Sequence, residues 1–364
     1  MKKIVVFSNM YPSKEHPTYG IFVKNQVNLL QNSGLSVDIQ VIDNPGRGKA
    51  ATLQKYIGWL FKSLLYLLKN GKGLSLSHAH YAFPTGLISL IGKKLMDIPY
   101  VVTVHGGDID KMAAKNNFIA NLTKSILQQA DAVIVVGEKL KEDVIQRFGV
   151  IERRVHVMSM GVNTAIFRPI PKIEARNELA IPQNQQVILY VGNVIKAKGL
   201  LELIAAFEML KKDDSARSLY IIGSQKDQAF VAELRKLINE KNLPDIHFQE
   251  PLGQANLARW MAASEVLVLP SHHEGFGLVA LEAMASGTTV VGTNVGGLSY
   301  LLNDGAGVLV EPKNAPALAK GIQAVLDAVP NLIDEPLVKE RVNHHSYESI
   351  LQQLLLIYEK VEKK

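Results

Sequence analysis

Two series of short apolar runs, rich in β-branched residues, alternate with helix-like segments along the chain. The first series is KIVVFS, SVDIQVI, LSLSHAH, YVVTVH, AVIVVG and RVHVMS, and the second is VILYVGN, SLYIIGS, DIHFQ, EVLVLPS, TTVVGTN and GVLVE. This alternation is typical of βαβ units, and continuous apolar runs fit parallel strands that are buried on both faces. The sequence therefore predicts an α/β protein with two doubly wound, Rossmann-like sheets.

The two series are separated by residues 167–186, a polar segment that contains three prolines. We interpret this segment as a connection between domains, because 364 residues exceed the usual size of one hydrophobic core. The predicted boundary lies between residues 168 and 169. Ligands of open parallel sheets bind beyond the carboxyl ends of the strands, so two such edges that face each other would form a cleft.

Positive charge is concentrated in the first half of the chain. Residues 1–168 contain 21 Lys and Arg against 11 Asp and Glu, whereas the remainder contains 19 against 23. A basic half favours an anionic substrate or an anionic membrane surface as partner. Nucleic acid is disfavoured, because no dense Lys/Arg stripe is interleaved with aromatic residues.

Other compositional features narrow the class of protein. The chain has no cysteine, which excludes disulfides and thiolate metal sites. The apolar run 4–7 near the start is too short for a signal peptide, and no run reaches the roughly 18 apolar residues of a spanning helix. We therefore expect a cytoplasmic protein.

Residues 56–68, YIGWLFKSLLYLL, are the segment nearest in character to a membrane helix. Its apolar residues at helical spacing are Ile57, Leu60, Phe61, Leu64, Leu65 and Leu68, and Lys55, Lys62, Lys69 and Lys72 surround them. A stripe of this kind usually packs on a sheet in the protein core. The alternative is a helix that rests on anionic lipid, with Trp59 and Tyr66 at the boundary.

Glycine, lysine and carboxylate residues follow strands of the second series. Gly275 and Gly277 stand before the helix-forming segment LVALEAMAS, so the free amides of its first turn can bind a phosphate. Lys198 follows another strand and can neutralise a diphosphate leaving group, although a solvated loop lysine is the alternative. Glu274 and Glu282 are acceptors suited to the vicinal hydroxyls of a ribose and of a sugar ring.

The fingerprints of other nucleotide-binding proteins are missing. No G-x-G-x-x-G follows a strand, and GLISLIGKK departs from the P-loop pattern in length and in lacking a hydroxyl after its lysine. Hydride transfer and ATP hydrolysis are therefore disfavoured.

Taken together, these segments resemble the retaining glycosyltransferases of family 4. EGFGLVALEAMASGTTVV is similar to the E-x7-E region of that family, YVGNVIKAKGLLELIAAF to its phosphate-contacting loop and helix, and VVTVHGGD to its catalytic-histidine segment. MGVNTAIFRP, YP…YGIFVKNQVNLL and SYESILQQLLLIYEKV resemble its interdomain entry, its acceptor loop and its final helix.

The resemblance implies the GT-B fold, in which two Rossmann-like domains face each other across a cleft. Residues 1–168 would then bind the acceptor and residues 169–345 the nucleotide sugar. The final helix, within residues 346–364, would cross back to the N-terminal domain.

The resemblance also implies roles for particular residues. His105, Glu274 and Lys198 would be catalytic: His105 and Glu274 would touch the donor sugar, and Lys198 would offset the diphosphate charge. Glu282 would bind the ribose, and Gly20 would let its loop approach the diphosphate. The residues implied in donor binding are Gly20, Gly192, Asn193, Lys198, Gly275, Phe276, Gly277, Leu278 and Glu282.

Two positions depart from the family pattern. Asn193 stands where an arginine is common, so Lys198 or another basic residue would carry that phosphate contact. Glu250 stands where a glycine often occurs, beside the expected position of the base, which leaves the base open between uracil and guanine.

Several histidines and one carboxylate pair are candidates for metal or acceptor sites. Asp108 and Asp110 have D-x-D spacing, but such a pair lacks the further oxygen ligands of a hard-cation site, and we predict no metal. His272 and His273 lack zinc-motif spacing. His78 and His80 either line the acceptor site or serve the structure, and His344–His345 is expected to mark the start of the final helix.

The sequence thus predicts a retaining, metal-independent glycosyltransferase of the hexosyltransferase type, which needs no cofactor. It would move a sugar from a UDP- or GDP-sugar to a glycan or lipid-linked acceptor in polysaccharide biosynthesis, with possible partners including an anionic membrane surface on the cytoplasmic face but not nucleic acid. Two alternatives remain: a sugar-nucleotide epimerase of the same fold, and a non-catalytic nucleotide- or sugar-binding protein.

Overall fold

The computed structural model describes residues 2–44, 49–112, 115–211 and 216–363. The chain forms two compact units: Met1–Met160 together with Tyr347–Lys364 is the first unit, and Gly161–Ser346 is the second. The division falls after Met160, whereas the sequence pattern placed a boundary after residue 168.

Strands and helices alternate through both units. The elements of the first unit, up to Met160, are β1 (Lys3–Ser8), α1 (Ile21–Asn32), β2 (Ser36–Val41), α2 (Lys49–Asn70), β3 (Leu76–His80), α3 (Thr85–Met96), β4 (Tyr100–Val104), α4 (Asn117–Gln129), β5 (Ala132–Val135), α5 (Glu138–Phe148) and β6 (Val155–Val157).

The second unit continues the same alternation, and one further helix follows it. Its elements are α6 (Lys172–Leu179), β7 (Gln186–Val191), α7 (Leu200–Lys211), β8 (Arg217–Ile222), α8 (Gln228–Glu240), β9 (Ile246–Gln249), α9 (Gln254–Ala263), β10 (Val266–Leu269), α10 (Leu278–Ala285), β11 (Thr289–Thr293), α11 (Gly296–Leu302), β12 (Val308–Val310), α12 (Ala315–Leu326) and α13 (Glu335–His344). The final helix is α14 (Tyr347–Glu362).

Each unit contains one parallel sheet, with six strands in the described residues. The order is β2-β1-β3-β4-β5-β6 in the first unit and β12-β11-β10-β7-β8-β9 in the second. Every apolar run chosen from the sequence overlaps one of these strands, to within one residue at the start of β7 and of β8, so the predicted α/β class with two Rossmann-like sheets is confirmed. In each sheet the first strand of the unit, β1 or β7, lies inside the sheet with neighbours on both sides.

The strands are buried because helices cover the sheets. All five residues of β4, YVVTV, are buried, as are all four of β10, VLVL. Helix α1 buries Val23, Val27 and Leu30, which lie on one face at helical spacing. This burial on both faces is the physical reason that the strand sequences lack polar alternation.

The final helix α14 belongs to the first unit. Ile350, Leu354 and Ile357 join the hydrophobic core that contains Ile4 of β1 and Val101 of β4. His344 ends α13 and His345 follows it, so the two histidines mark the end of the preceding helix rather than the start of the final one.

Helix α2 presents a different face to the sheet from the one predicted. Trp59 and Leu67 are buried, and the indole Nε1 of Trp59 donates to the carbonyl oxygen of Gln40 at 3.0 Å. By contrast Phe61 and Leu68, with exposed fractions of 63% and 67%, face away from the core. The expectation that the apolar stripe packs on the sheet is therefore wrong for this part of it.

The two aromatic residues proposed for a lipid boundary also lie on the protein-facing side. The Tyr66 hydroxyl donates to Asp38 at 2.5 Å, which ties α2 to β2, and Trp59 makes the bond to Gln40 described above. Among the described residues, the helices all fall short of the length and apolar character needed to cross a bilayer.

The predicted connection at residues 167–186 contains a helix, α6, that is anchored by a buried arginine. Arg176 donates to the carbonyl oxygens of Ala263 at 3.0 Å, Gln183 at 2.6 Å and Gln185 at 2.8 Å. Its guanidinium also pairs with both oxygens of Glu265 at 2.9 Å. The segment is thus an integral part of the second unit rather than a free linker.

We predict that Arg176→Leu lowers the free energy of unfolding of the second unit by about 3–5 kcal/mol, because three carbonyl groups lose their buried donor and Glu265 loses its bidentate partner. Urea denaturation checks this value. Arg259→Leu is the matched control, since Arg259 pairs with Glu178 in solvent and such pairs contribute about 1 kcal/mol or less. Equal effects of the two substitutions would contradict the prediction.

Candidate catalytic site

The second unit gathers polar side chains where β7 and β10 end. These strands are neighbours in the sheet, and the chain leaves them in opposite directions, from β7 to β8 on one side and from β10 to β11 on the other. Such a point is where ligands bind in doubly wound sheets. Lys198 lies in the loop after β7, and Glu274 lies in the loop after β10.

The central contact of this site is an ion pair. The ammonium Nζ of Lys198 lies 2.7 Å from Oε2 of Glu274, and the hydroxyl of Ser271 donates to the same oxygen at 3.1 Å. The side chains remain 24% and 18% exposed, so a ligand can reach both. The structure thus brings together two residues that the sequence had assigned separate roles.

The loop that carries Glu274 is held by close backbone contacts from the segment after β11. Gly296 has a φ of 51°, and a Cβ built on it would lie 1.9 Å from the carbonyl oxygen of Glu274. On the neighbouring residue, Gly297, a Cβ would lie 2.3 Å from the carbonyl oxygen of Phe276. Only glycine fits such an approach, so these two residues fix the position of the loop.

Residues 275–277 lead into helix α10, which begins at Leu278. Gly275 is exposed, Leu278 is partly exposed, and Phe276 is buried with its ring edge-on to His345 at 5.0 Å between centroids. The amides of Phe276, Gly277 and Leu278 donate to no acceptor within the described parts of the chain. They are therefore open donors at the positive end of the helix dipole, an arrangement that suits an anion.

Glu282 lies one turn inside α10 in apolar surroundings. Burial raises its pKa to about 8, and a hydrogen bond with Gln254 opposes this only in part. The carboxyl group is therefore largely protonated at neutral pH in the ligand-free protein, and it lacks a charged partner within the described residues.

The remaining predicted donor-binding residues lie on the loop after β7. Gly192 donates its amide to Ile222 in the adjacent strand, and the carbonyl oxygen of Asn193 accepts from the Tyr190 hydroxyl at 2.9 Å. The side chain of Asn193 is exposed.

Glu250, the other position that departs from the family pattern, is also exposed and accepts from Gln225 at 3.1 Å.

A second polar cluster lies at the carboxyl ends of β3 and β4 in the first unit. The rings of His78, His80 and His105 stack in series, with centroids 4.6 and 5.4 Å apart. Nδ1 of His80 lies 3.2 Å from Nε2 of His105. Tyr358 of α14 places its hydroxyl 2.6 Å from Nδ1 of His78, whose Nε2 lies 2.7 Å from the Thr103 hydroxyl.

Burial keeps these histidines neutral. It lowers the pKa of His78 and of His105 to about 3 and lowers that of His80 well below its usual value. The imidazoles also repel one another when charged, which adds to the shift for His78 and His80. His105 is the partly exposed member, so it is the one that a ligand can reach.

Asp108 supports the loop that carries His105. Its two oxygens accept from the amides of Ala82 at 2.8 Å and His105 at 3.2 Å, and burial raises its pKa to about 6. The side chain of Asp110 lies outside the described residues, so the D-x-D pair as a whole is not placed.

Gly20 precedes α1 with a φ of 69°. A Cβ on this residue would lie 2.5 Å from the carbonyl carbon and oxygen of Met10, in the loop after β1. The contact explains glycine at this position by chain packing, without a ligand.

Sequence reasoning missed several supporting residues. The motif spacing disfavoured His272 as a zinc ligand and indicated no other role for it. In the structure its Nε2 lies 2.9 Å from Glu202 of α7, and its amide donates to the carbonyl oxygen of Ala197. The paired glycines at 296–297 were overlooked as well, although a Gly-Gly pair after a strand end is a signal of close backbone approach. No sequence pattern signalled that Tyr358 would reach His78.

The chain matches two family models that together span most of its length. Residues 21–166 match Glycosyltransferase Family 4, and residues 171–332 match Glycosyl transferases group 1. The first range contains His105, and the second contains Lys198, Glu274 and Glu282.

Two curated relatives are similar in sequence. The putative teichuronic acid biosynthesis glycosyltransferase TuaC of Bacillus subtilis is 26% identical over 96% of this chain and 94% of its own length. The D-inositol 3-phosphate glycosyltransferase of Streptosporangium roseum is 34% identical over 64% of this chain, and the match spans 57% of that relative.

Solved structures share the fold over the whole chain. Sucrose-phosphate synthase from Thermosynechococcus elongatus is 26% identical, with a TM-score of 0.79 over 99% of both chains. Anabaena HepE, crystallised in complex with UDP-glucose, is 18% identical, with a TM-score of 0.78 over 100% of both chains. These neighbours have the GT-B architecture.

We predict that Glu282→Gln removes a pH dependence of stability. In the parent the carboxyl pKa of about 8 exceeds the value of 4.5 in the unfolded chain, so the free energy of unfolding falls as pH rises from about 4.5 to 8. At pH 8.5 the free energy of unfolding of the variant should exceed that of the parent by about 3 kcal/mol. This value is lower than the pKa difference converted at about 1.4 kcal/mol per unit, because the side chain of Glu282 is partly accessible to solvent.

Urea denaturation between pH 5 and 9 measures this effect. Glu311→Gln, at an exposed carboxylate, is the control and should give a profile parallel to that of the parent. Parallel profiles for Glu282→Gln and the parent would show that Glu282 is already ionised at neutral pH.

Proposed function

We propose that this chain, a glycosyltransferase with a Family 4 region followed by a group 1 region, transfers a sugar from a nucleoside diphosphate sugar to an acceptor hydroxyl. The proposed donor is a UDP- or GDP-sugar, and the reaction would proceed with retention and without a metal. UDP has support from the likeness to HepE, whose structure contains UDP-glucose.

The observation that carries this proposal is the Lys198–Glu274 ion pair, whose carboxylate lies in the loop that leads to the open amides at the start of α10. A bound diphosphate can replace Glu274 as the partner of Lys198, because phosphate oxygens are strong acceptors for an ammonium group. Glu274 is then released to accept hydrogen bonds from hydroxyls of the sugar. When Lys198 exchanges Glu274 for the diphosphate, Lys198 therefore binds the phosphate side and Glu274 binds the sugar side of the sugar–phosphate bond that must break.

The same arrangement stabilises the leaving group. As the bond from the sugar to the phosphate oxygen breaks, its electron pair passes to the diphosphate, and the acceptor hydroxyl supplies the new bond to the sugar. Lys198 and the amides of Phe276–Leu278 would stabilise the developing charge. The diphosphate itself can take the acceptor's proton, so the proposal needs no protein nucleophile.

Glu282 is assigned to the ribose. Two vicinal hydroxyls can donate to its two oxygens, and such bonds favour the ionised form. Nucleotide binding would therefore lower the pKa of this carboxyl group and release a proton below about pH 8. Affinity for a nucleoside diphosphate should consequently rise with pH up to that value.

In the first unit, His80 is positioned to set the tautomer of His105. Nε2 of His80 is buried without a hydrogen-bond partner in the described residues. A buried N–H group without an acceptor is less favourable than a buried nitrogen lone pair without a donor, so Nε2 is the unprotonated nitrogen. His80 therefore carries its proton on Nδ1 and donates it to Nε2 of His105. His105 then keeps its own proton on Nδ1, which can donate to an oxygen of a substrate that binds to the first unit.

The acceptor is proposed to be a glycan or a lipid-linked precursor in polysaccharide biosynthesis. Two observations support this: the excess of Lys and Arg in residues 1–168 and the likeness to TuaC, whose name refers to teichuronic acid biosynthesis. The basic residues would attract an anionic acceptor.

A thermal-shift screen followed by product analysis tests the function. UDP or GDP should raise the unfolding temperature more than NAD or ATP do, because a ligand bound only by the folded state stabilises it. Incubation of the preferred nucleotide sugar with acceptor glycans should then give an extended glycan. Conversion of the donor without any acceptor would indicate an epimerase, and stabilisation without turnover would indicate a binding protein.

We predict that Glu274→Ala and Lys198→Ala each lower kcat by about 10²–10³-fold, since each removes a charge that acts as the sugar–phosphate bond breaks. Glu274→Ala should leave nucleotide diphosphate affinity within a fewfold of the parent. Lys196→Ala, an exposed lysine of the same loop, is the control for Lys198 and should retain full turnover. Initial-rate kinetics and calorimetric titration with the diphosphate measure the two quantities, and unchanged kcat in both alanine variants would refute the assignment.

We predict that His80→Leu lowers kcat by about 10-fold with little change in donor KM, less than the roughly 10²–10⁴-fold contribution of a direct proton donor, because His80 acts through His105. His80→Asn should recover part of the loss, because an asparagine amide can place a donor near the position of Nδ1. A purely packing role would give the opposite order, since leucine fills the buried space with an apolar side chain. Steady-state kinetics on both variants, after a check of unfolding temperature, decide between the two.

A further inference from the structure

Helix α2 carries a continuous apolar stripe that faces solvent. Leu53, Ile57, Phe61, Leu65 and Leu68 follow one another at intervals of four or three residues, and their exposed fractions run from 38% to 67%. At about 100° per residue these positions share one face of the helix. A contiguous exposed patch of this kind marks an interaction surface rather than scattered surface residues.

The stripe is separate from the face that holds α2 on the sheet. Trp59, Ser63 and Leu67 are buried on that other face, and Tyr66 is tied to Asp38. The helix is therefore apolar on two faces, and the core occupies one of them. Rotation of α2 to bury the exposed stripe would break the bonds of Trp59 and Tyr66.

The charges around the stripe have a single sign. Helix α2 contains no Asp or Glu, whereas Lys62 and Lys69 directly follow Phe61 and Leu68 and are exposed. Lys72, just beyond the helix, is exposed as well. The stripe is thus bordered by cations with no carboxylate on the same helix to balance them.

This charge pattern distinguishes between two partners that could cover the stripe, a second copy of the chain and an anionic lipid surface. A second copy of the same face would bring like charges together, which disfavours a symmetric dimer through the stripe. An anionic lipid surface offers both an apolar layer and negative headgroups, and helices that lie in such an interface have this combination of a large apolar residue with adjacent lysines.

We propose that the stripe of α2 docks on the surface of an anionic lipid bilayer. Phe61, Ile57 and Leu68 enter the boundary between headgroups and acyl chains, and Lys62 and Lys69 contact the lipid phosphates. The docking goes beyond the transfer reaction, because it requires neither donor nor acceptor. It deepens the proposed function in one respect, since it would hold the enzyme at the surface where a lipid-linked acceptor lies.

Vesicle co-sedimentation of the full chain tests the docking. Vesicles of phosphatidylcholine with phosphatidylglycerol should bind the protein, vesicles of phosphatidylcholine alone should bind it far less, and added salt should weaken the anionic case. Phe61→Ser should lose most of the binding. Phe118→Ser is the matched control, because Phe118 of α4 is also an exposed phenylalanine, at 70% against 63% for Phe61, and should bind as the parent does.

The lysines are tested in the same assay. Lys62→Gln and Lys69→Gln should each lower the partition coefficient by about fivefold, the effect expected for one lysine near an anionic surface. Lys139→Gln, at an exposed lysine of α5, should leave it unchanged. Circular dichroism and the nucleotide thermal shift on the same samples verify folding and keep this test separate from that of the transferase activity.

Three results would overturn the proposal. The first is a lack of binding to anionic vesicles by the folded parent. The second is an equal loss in the Phe61 and Phe118 variants. The third is concentration-dependent self-association that Phe61→Ser abolishes while vesicle binding is unaffected, which would assign the stripe to a second copy of the chain.

Discussion

The parallel arrangement of both sheets determines where chemistry can occur in this protein. In each unit the first strand lies inside the sheet, and the chain adds later strands on both of its sides. All carboxyl ends therefore meet at one edge, and the loops that leave neighbouring strands in opposite directions open a space there. The histidine cluster at the carboxyl ends of β3 and β4 and the ion pair after β7 and β10 both occupy such edges.

In the second unit, close backbone contacts help to fix the geometry of the site. Lys198 and Glu274 come from loops after neighbouring strands, and their separation of 2.7 Å requires both loops to be fixed. Gly296 and Gly297 supply this constraint by touching the carbonyl groups of Glu274 and Phe276 directly. A side chain at either glycine would displace the loop that carries Glu274. The two glycines therefore determine the geometry of the Lys198–Glu274 pair.

The buried ionisable groups of both sites are unfavourable for stability. Glu282 is held in apolar surroundings that raise its pKa to about 8, and three histidines are stacked so that none can charge easily. Neutral imidazoles and a protonated carboxyl group are tolerated in a core, whereas their charged forms are not. Groups with strongly shifted pKa values cluster at functional sites, which fits the position of these groups at the strand ends.

The sequence by itself determined the strands and the fold class, because a strand that is buried on both faces requires a continuous run of apolar residues, which is visible in the sequence. It also selected Lys198 and Glu274 one at a time, from glycines and strand ends. Only the tertiary structure decided that these two residues pair, that Arg176 anchors a helix in the supposed linker, and that Tyr358 reaches His78. It likewise decided the orientation of α2, since a helix with two apolar faces has a periodicity that does not tell which face the sheet will cover, and contacts between residues distant in sequence make that choice.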